Sequence, residues 1–351
     1  MNTQVSREPF GTLDDGTGVD RWTLEAGSGG LRVRVLTYGG IVQSIEAPDR
    51  DGQRGRLALG FADLASYVMH GGSHFGALVG RYANRIAGAS FTLDGRVYPL
   101  TPNDGRNSLH GGPRNFSRVV WEARPVEGGV RLRRVSPDGE EGFPGALDVR
   151  VTYTLSTGPG GDALRIAYRA RTDAPTVVNL TNHTYLNLGG DGSGSATGHQ
   201  LRLAASRYTR VDGSGIPVPG APADVTGTRF DFRAARAVAG AYDHNFVLDG
   251  GVTGAPRTVA EMYDPRSGRA LELATTEPGL QLYTADHFDG SLTGTSGVPY
   301  GPAAGLALET QHFPNSPNRP DFPGTVLRPG EIHRSETVYG FSARPRSTGN
   351  P

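Results

Sequence analysis

The fold class is decided by the stretch Asp148-Val-Arg-Val-Thr-Tyr-Thr-Leu155 and its partner Ala163-Leu-Arg-Ile-Ala-Tyr-Arg-Ala170. Apolar and polar residues alternate in both stretches, which is typical of strands with one buried face. The connection Gly158-Pro-Gly-Gly-Asp162 is rich in turn residues and predicts an antiparallel hairpin. Because Arg and Thr occupy the polar positions, we expect antiparallel sheets that expose one face to solvent.

The same alternation recurs along most of the chain. It is present in Leu31–Leu36, Ile41–Ile45, Val130–Val135 and Ala270–Leu273. In Phe91-Thr-Leu-Asp-Gly-Arg-Val-Tyr98 the Asp-Gly pair between two short alternating arms predicts a further hairpin. The sequence therefore predicts an all-β protein built as a large antiparallel β-sandwich.

Helical patterns are few. Short helices are predicted at 61–67 and 233–238, and no regular exchange of strand with long helix indicates a parallel α/β sheet. No linker divides the 351 residues into halves. We expect a flexible N-terminal segment over 1–20, a single domain over 21–343 and a disordered tail over 344–351.

Composition excludes several classes of chemistry. The 35 basic residues, all arginine, balance 35 acidic residues, so the whole-chain charge implies no attraction to nucleic acid or membranes. The absence of lysine excludes a Schiff base, and the absence of cysteine excludes disulfides, thiol nucleophiles and Cys-ligated zinc. No signal peptide and no apolar run of about 20 residues is visible, so a cytoplasmic protein is expected.

The stretch 309–323, Glu-Thr-Gln-His-Phe-Pro-Asn-Ser-Pro-Asn-Arg-Pro-Asp-Phe-Pro, follows the apolar run 305–308. Its four prolines predict a rigid, extended loop rather than a helix. A carboxylate at the end of a buried strand, held by such a loop, suits a catalytic base. The alternative is that Glu309 caps the strand and faces water.

Two of the nine histidines have neighbours that indicate a site. His110 precedes a glycine pair, which permits close approach of a ligand, and His183 lies in a strand-like run dense in hydrogen-bonding side chains. His70, His74, His199 and His333 are expected at the surface or in loops. No spacing of ligands predicts a metal site, and no glycine-rich turn with a lysine predicts a phosphate site.

Six strings follow one another in order and together resemble the aldose 1-epimerase (galactose mutarotase) family. The strings are 80–87 (GRYANRIA), 107–112 (NSLHGG), 182–185 (NHTY), 227–233 (GTRFDFR), 242–246 (YDHNF) and 309–323. The resemblance extends from about Trp22 to Phe341. It implies a galactose mutarotase-like supersandwich with few short helices and a sugar-binding cleft.

The resemblance implies an isomerase that interconverts the α and β anomers of free aldohexoses, such as galactose and glucose, without a cofactor or metal. Glu309 would take the proton from the C1 hydroxyl, and His183 would give one to the ring oxygen. His110 would stabilise the opened alkoxide. Substrate hydroxyls would be bound by Asn84, Arg85, Asp243 and Gln281. The expected partner is a small aldose, and the protein is expected to be a monomer or homodimer.

Three other functions stay open from the sequence. A non-catalytic sugar-binding protein could use the same sandwich, although binding alone needs no acid and base on opposite sides of a sugar. An enzyme acting on sugar phosphates would need a basic cluster, for which Arg81, Arg85, Arg114 and Arg118 are candidates. A glycoside hydrolase would need two carboxylates, for which only Glu309 and Asp243 could serve.

Overall fold

The computed structural model describes residues 3–27, 29–158 and 161–345. Of the tail predicted to be disordered, residues 346–351 lie outside these ranges. The described residues form 28 strands, one helix, α1 (Leu64–Met69), and five 3-10 turns at Gly71–Ser73, Ala87–Ala89, Phe116–Arg118, Glu140–Gly142 and Ser316–Asn318. The predicted all-β class is confirmed.

The strands of the first half of the chain are β1 (Thr3–Thr12), β2 (Gly18–Ala26), β3 (Arg32–Leu36), β4 (Val42–Pro48), β5 (Arg54–Arg56), β6 (Ala77–Val79), β7 (Arg85–Ile86), β8 (Ser90–Leu93), β9 (Arg96–Pro99), β10 (Ser108–Leu109), β11 (Glu122–Val126), β12 (Gly129–Ser136), β13 (Leu147–Gly158) and β14 (Gly161–Thr172).

Those of the second half are β15 (Thr176–Val177), β16 (Thr181–His183), β17 (Tyr185–Leu186), β18 (Gln200–Leu203), β19 (Arg207–Tyr208), β20 (Ala223–Asp224), β21 (Arg236–Ala237), β22 (Asp243–Val247), β23 (Arg257–Tyr263), β24 (Arg269–Thr275), β25 (Gly279–Tyr283), β26 (Leu306–Gln311), β27 (Val326–Leu327) and β28 (His333–Ala343).

Three sheets make up most of the molecule. A nine-stranded sheet has the order β11-β12-β13-β14-β28-β24-β23-β18-β21, and a six-stranded sheet has the order β17-β26-β25-β22-β19-β20. The strands β1 to β5 form a third sheet in chain order. The last strand, β28, lies inside the nine-stranded sheet, where it pairs with β14 on one side and β24 on the other.

The hairpin that decided the fold class is present. Strands β13 and β14 pair antiparallel over their full length, from Leu147 opposite Thr172 to Gly158 opposite Gly161. Buried and partly exposed residues alternate along β13 as predicted. The hairpin predicted around Asp94 is also confirmed, as β8 and β9.

One hydrophobic cluster joins the three sheets. Leu24 from β2, Val151 from β13 and Leu282 from β25 are fully buried members of this cluster. Truncating a buried leucine to alanine in such a core costs about 2–5 kcal/mol. Shared apolar burial therefore holds the sheets together. The strands of the six-stranded sheet pack on this core through one of their faces.

Other local expectations had mixed outcomes. The helix predicted at 61–67 is present as α1, one turn later, with Asp63 as its N-cap. The helix predicted at 233–238 is wrong, because Arg236–Ala237 pairs with β18 at the sheet edge. His199, expected at the surface or in a loop, lies in the loop before β18 but is fully buried, and its Nε2 accepts a hydrogen bond from the Leu188 amide at 2.8 Å.

Within residues 1–20, β1 pairs antiparallel with β2. The flexibility predicted for that segment stays a prediction, as does the division of the chain at residues 21 and 343. Among the residues that the structure describes, no helix is both long and apolar enough to cross a bilayer.

Candidate active site

The floor of the site is made by β22, β25 and β26. Gln281 lies opposite both Asn245 and Glu309, and Tyr283 lies opposite Asp243. Directly opposed residues of antiparallel strands point to the same face, so these side chains form two adjacent rungs. Every residue of β26 is buried. Glu309 therefore lies inside a buried strand, two positions before its last residue, rather than at its end.

His183 faces Glu309 from another strand. It ends β16, which pairs with β6 through His183 and Ala77. The distance from His183 Nε2 to Glu309 Oε1 is 3.5 Å, longer than an ordinary hydrogen bond. His183 Nδ1 and Glu309 Oε2 are buried without a hydrogen-bond partner. The pair is thus close enough to share a proton, and both side chains keep a free polar atom for a ligand.

Burial determines where that proton resides. It raises the pKa of Glu309 well above its usual range, with a further rise from the charge of Asp243 and an opposing effect of Arg85. Burial also lowers the pKa of His183 to about 4. A carboxyl and a neutral imidazole are therefore favoured in the empty pocket. A protonated His183, the form that would give a proton to the ring oxygen, is not favoured there. The desolvation of both groups outweighs their attraction at 3.5 Å.

His110 is fixed by a backbone amide. The Asn84 N–H donates to His110 Nδ1 at 3.2 Å, and the His110 N–H donates to the Asn84 carbonyl at 3.1 Å. Because Nδ1 accepts a hydrogen bond, the proton of the neutral imidazole is on Nε2. His110 is therefore a neutral hydrogen-bond donor through Nε2. Both residues have positive φ, 64° and 53°, a conformation that costs energy outside glycine. The local backbone is strained where it orients this ring.

Arg85, Asp243 and Gln281 form a connected polar group at the rim. Arg85 Nε donates to Asp104 at 2.7 Å, and its Nη1 lies 3.5 Å from Asp243. Gln281 Nε2 donates to the other oxygen of Asp243 at 2.6 Å. The arginine is thus held between two carboxylates, and Asp243 keeps almost half of its side chain exposed to solvent.

These side chains enclose a pocket of about 200 Å³. Its lining residues are Gly72, His74, Asn84, Arg85, Leu109, His110, His183, Tyr185, Asp243, Tyr283, His287 and Glu309. Six of the seven predicted site residues line it, and Gln281 joins it through Asp243. The structure thus brings together every residue that the sequence predicted for the site.

Six lining residues were not predicted from the sequence: Gly72, His74, Leu109, Tyr185, Tyr283 and His287. His74, expected at the surface or in a loop, lies outside the helices and strands, and its ring is 4.9 Å from the His110 ring and 5.8 Å from the His183 ring, centroid to centroid. Tyr185 contacts His183 at 4.8 Å, and its place in the string 182–185 was the available signal. The Tyr283 hydroxyl forms a hydrogen bond with His287 Nδ1, and both side chains line the pocket. His74, Tyr283 and His287 reach the pocket only through tertiary folding.

The site also contains a possible set of metal ligands. His110, His183 and Glu309 each offer a ligand atom, and these atoms lie within 4.8 Å of one another. A metal-bound histidine nitrogen must be unprotonated, whereas the amide of Asn84 favours the proton on His110 Nε2. The arrangement of His110 therefore fits a hydrogen-bond donor better than a ligand.

Comparisons with known proteins identify the family of this chain. The aldose 1-epimerase family model matches residues 20–340. The chain is 43% identical over 347 residues to galactose mutarotase of Sus scrofa, covering 96% of this chain and 98% of that protein. It is 37% identical over 330 residues to aldose 1-epimerase of Escherichia coli, covering 90% and 93%. A solved structure of an aldose epimerase homologue from C. elegans aligns with a TM-score of 0.83 and 33% identity, covering 91% of this chain and 97% of that one. The chain belongs to the aldose 1-epimerase family.

Proposed function

We propose that this aldose 1-epimerase, an isomerase, acts on free aldohexoses of the galactose and glucose type and uses Glu309 and His183 as its proton-transfer pair. The observation that carries the proposal is the convergence of Glu309, His183 and His110 in one pocket. Mutarotation needs a base and an acid near the same hemiacetal, and the 3.5 Å separation of His183 and Glu309 supplies both.

In the proposed reaction, Glu309 accepts the proton of the C1 hydroxyl while His183 donates one to the ring oxygen. The C1–ring oxygen bond breaks, and C1 becomes an aldehyde. Rotation about C1–C2 presents the other face of the aldehyde, and the reverse proton transfers close the ring. Each well-placed transfer contributes typically about 10²–10⁴-fold in rate. Protons balance over the cycle, so no cofactor is required.

The proton must move to His183 before the reaction starts. Sugar hydroxyls that donate to Glu309 stabilise its ionised form and lower its pKa. The same binding brings the ring oxygen, an acceptor, towards His183. The neutral His110 donates from Nε2 and stabilises the negative charge that develops on the opened ring oxygen. Substrate binding thus creates the charged pair that burial disfavours in the empty pocket.

The remaining predicted residues would bind hydroxyls. Arg85 offers a planar fork of donors, and its two carboxylate partners hold that fork in place. Asp243 accepts hydrogen bonds from the solvent side of the pocket, supported by Gln281. The side-chain amide of Asn84 supplies a further contact to the substrate. We propose that these four side chains set the preference among aldoses.

The first test follows the optical rotation of freshly dissolved α-D-galactose and α-D-glucose. Wild type should accelerate the decay, and Glu309→Gln should show none above buffer. A matched control is Glu277→Gln, a buried glutamate that pairs with His312 and lies outside the pocket. This control should retain activity, and a thermal unfolding curve shows whether the variant is folded. Equal decay in wild type and Glu309→Gln would remove Glu309 from the mechanism.

The alternatives have weaker support. Arg81, a candidate for a phosphate site, is buried and donates to the carbonyls of Pro144 and Gly145. Arg114 donates to Glu141. Arg85 is held by Asp104 and Asp243, which leaves Arg118, exposed and without a salt bridge among the described residues, as the free basic candidate. Hydrolysis of an aryl glycoside would instead support a glycosidase, and sugar binding without mutarotation would support a binding protein. Cytoplasmic localisation and a monomeric or homodimeric state are also proposals.

A further inference from the structure

The outer face of the nine-stranded sheet carries a row of arginines. Where β12, β13, β14 and β28 lie side by side, the directly opposed residues are Arg133, Arg150, Arg169 and Arg334. Opposed residues point to the same face, and the alternate positions of these strands are buried in the core. With strands about 4.8 Å apart, the row extends roughly 14 Å across the sheet.

Further arginines surround this row. The outward positions of β11 to β14 and β28 carry eight in total: Arg124, Arg131, Arg133, Arg150, Arg165, Arg169, Arg171 and Arg334. The same positions carry three carboxylates: Glu122, Asp148 and Glu336. The difference is five positive charges on one face of a chain whose net charge is zero. We call this surface the arginine face.

Most of this charge has no salt-bridge partner among the residues that the structure describes. Arg133 and Arg150 share Asp148, at 2.9 and 3.3 Å, and Arg165 pairs with Glu336. The other five arginines of the face have no salt bridge to a carboxylate within the described ranges.

Arg169 lies at the centre of the row and shows the effect of this crowding. Its Nε is buried without a hydrogen-bond partner. Repulsion from Arg171 is the main cause that lowers the pKa of Arg169, with smaller effects of burial, Arg334 and Arg150. Like charges directly opposite each other destabilise a sheet. A multivalent anion lying along the row would remove that repulsion and satisfy the free donors.

We propose that the arginine face binds inorganic polyphosphate, a linear chain of phosphate groups. Guanidinium groups match phosphate oxygens with paired hydrogen bonds, and a row of them suits an extended anion better than a single phosphate. A groove of about 190 Å³, lined by Glu122, Arg124, Arg131, Arg133 and Arg150, lies at one end of the row.

Other polyanions fit this face less well. Proteins that bind single-stranded nucleic acid use aromatic side chains on which bases stack. The outward positions of β11 to β14 and β28 carry no aromatic residue, because Tyr153, Tyr168 and Tyr339 all point into the core. The face therefore offers contacts for phosphate groups but none for bases. None of its eight arginines lines the active-site pocket.

The test measures binding of labelled polyphosphate to the full chain at low ionic strength by fluorescence anisotropy, together with thermal unfolding. We compare wild type with Arg150→Gln/Arg169→Gln. The matched control is Arg202→Gln/Arg236→Gln, which removes the same charge from β18 and β21 at the other end of the sheet. Mutarotation of galactose shows that each variant is folded.

We expect wild type to bind and polyphosphate to raise its melting temperature. The Arg150/Arg169 variant should bind about tenfold more weakly or worse, since two phosphate contacts are lost. It should melt no lower than wild type without ligand, and the control should bind as wild type does. The proposal is overturned by equal weakening in both variants, by no binding to wild type, or by tighter binding of single-stranded RNA or of anionic lipid vesicles.

Discussion

In the proposed mechanism, Asp243 would connect substrate binding to proton transfer. It accepts from Gln281 and faces Arg85, and its negative charge raises the pKa of Glu309 beyond the effect of burial. In the proposed mechanism the pair of Glu309 and His183 holds one proton, so kcat/KM falls as the pH rises through the raised pKa of Glu309, where that proton is lost. The charge of Asp243 therefore moves the alkaline limb of the profile to higher pH.

We predict that Asp243→Asn shifts this alkaline limb to lower pH, since the repulsion that raises the pKa of Glu309 is removed. The variant should also raise KM, because hydroxyl contacts are lost. The measurement is the pH dependence of kcat/KM for galactose mutarotation. Asp104→Asn removes the other carboxylate partner of Arg85 and should not move this limb of the profile to lower pH. An unshifted limb in Asp243→Asn would contradict the coupling.

Individual residues were predictable where a motif marked them. Asn84, His110, His183 and Glu309 were found because each lies in a string of several specific residues, and all four line one pocket. His74 follows two glycines and a serine, and no neighbouring residue distinguishes it from a surface histidine. Its place beside His110 and His183 depends on strands that are distant in sequence.

At the scale of elements, the turn after β10 controls the orientation of His110. A Cβ added to Gly111 would lie 2.3 Å from the carbonyl oxygen of Gly80, and Gly111 has a φ of 89°. Gly105 also has a positive φ, 59°, but a Cβ there would meet nothing within 4 Å. A substitution at Gly105 would therefore test the energetic cost of a side chain at positive φ alone. A substitution at Gly111 would add the cost of the steric contact with Gly80.

We predict that Gly105→Ala lowers the free energy of unfolding by about 1 kcal/mol, the conformational cost alone. Gly111→Ala should cost a further 1–3 kcal/mol, roughly, because the turn must shift away from Gly80. That shift moves the His110 ring, so Gly111→Ala should also lower kcat by about tenfold or more, with Gly105→Ala close to wild type. Urea unfolding and optical rotation measure the two effects. Equal losses in both variants would contradict this account.

Elements were predictable where alternation was strong. In β13 and β14, period-two patterning and a glycine-rich turn fixed both the strands and their pairing. At Arg233–Val238 the run of alanines favoured a helix by propensity, but Arg236–Ala237 gained ladder hydrogen bonds with β18. Tertiary pairing overrides a weak local preference. The order of strands in the nine-stranded sheet depends on such distant pairings, so no local sequence pattern could predict it.

At the scale of the whole molecule, buried histidines make the stability depend on pH. Burial lowers the pKa of His183 and of His199 to about 4 and that of His74 to about 3. In the unfolded chain these groups titrate near 6.5, so below that pH the unfolded state binds more protons. The free energy of unfolding contributed by these histidines is therefore lost as the pH falls from about 6.5 towards 4. Glu309 has the opposite effect, because its raised pKa costs stability as the pH rises.

We predict that His199→Gln reduces this acid sensitivity. The glutamine oxygen can accept the hydrogen bond of the Leu188 amide, but it does not titrate. The variant should be less stable than wild type at pH 8, and its loss between pH 8 and pH 5 should be smaller by on the order of 2 kcal/mol. Urea unfolding at the two pH values measures this difference. Identical losses in both proteins would show that His199 is not responsible.

The position of β28 has a consequence for how the protein is made. This strand, the last one along the chain, fills the gap between β14 and β24. Until the ribosome has completed residues 333–343, the two parts of the nine-stranded sheet have no strand to connect them. Each part then exposes an edge with unpaired backbone groups, which other chains can pair with. Insertion of β28 closes both edges at once, so a chain that lacks residues 333–343 is expected to be more prone to aggregation than one that contains them.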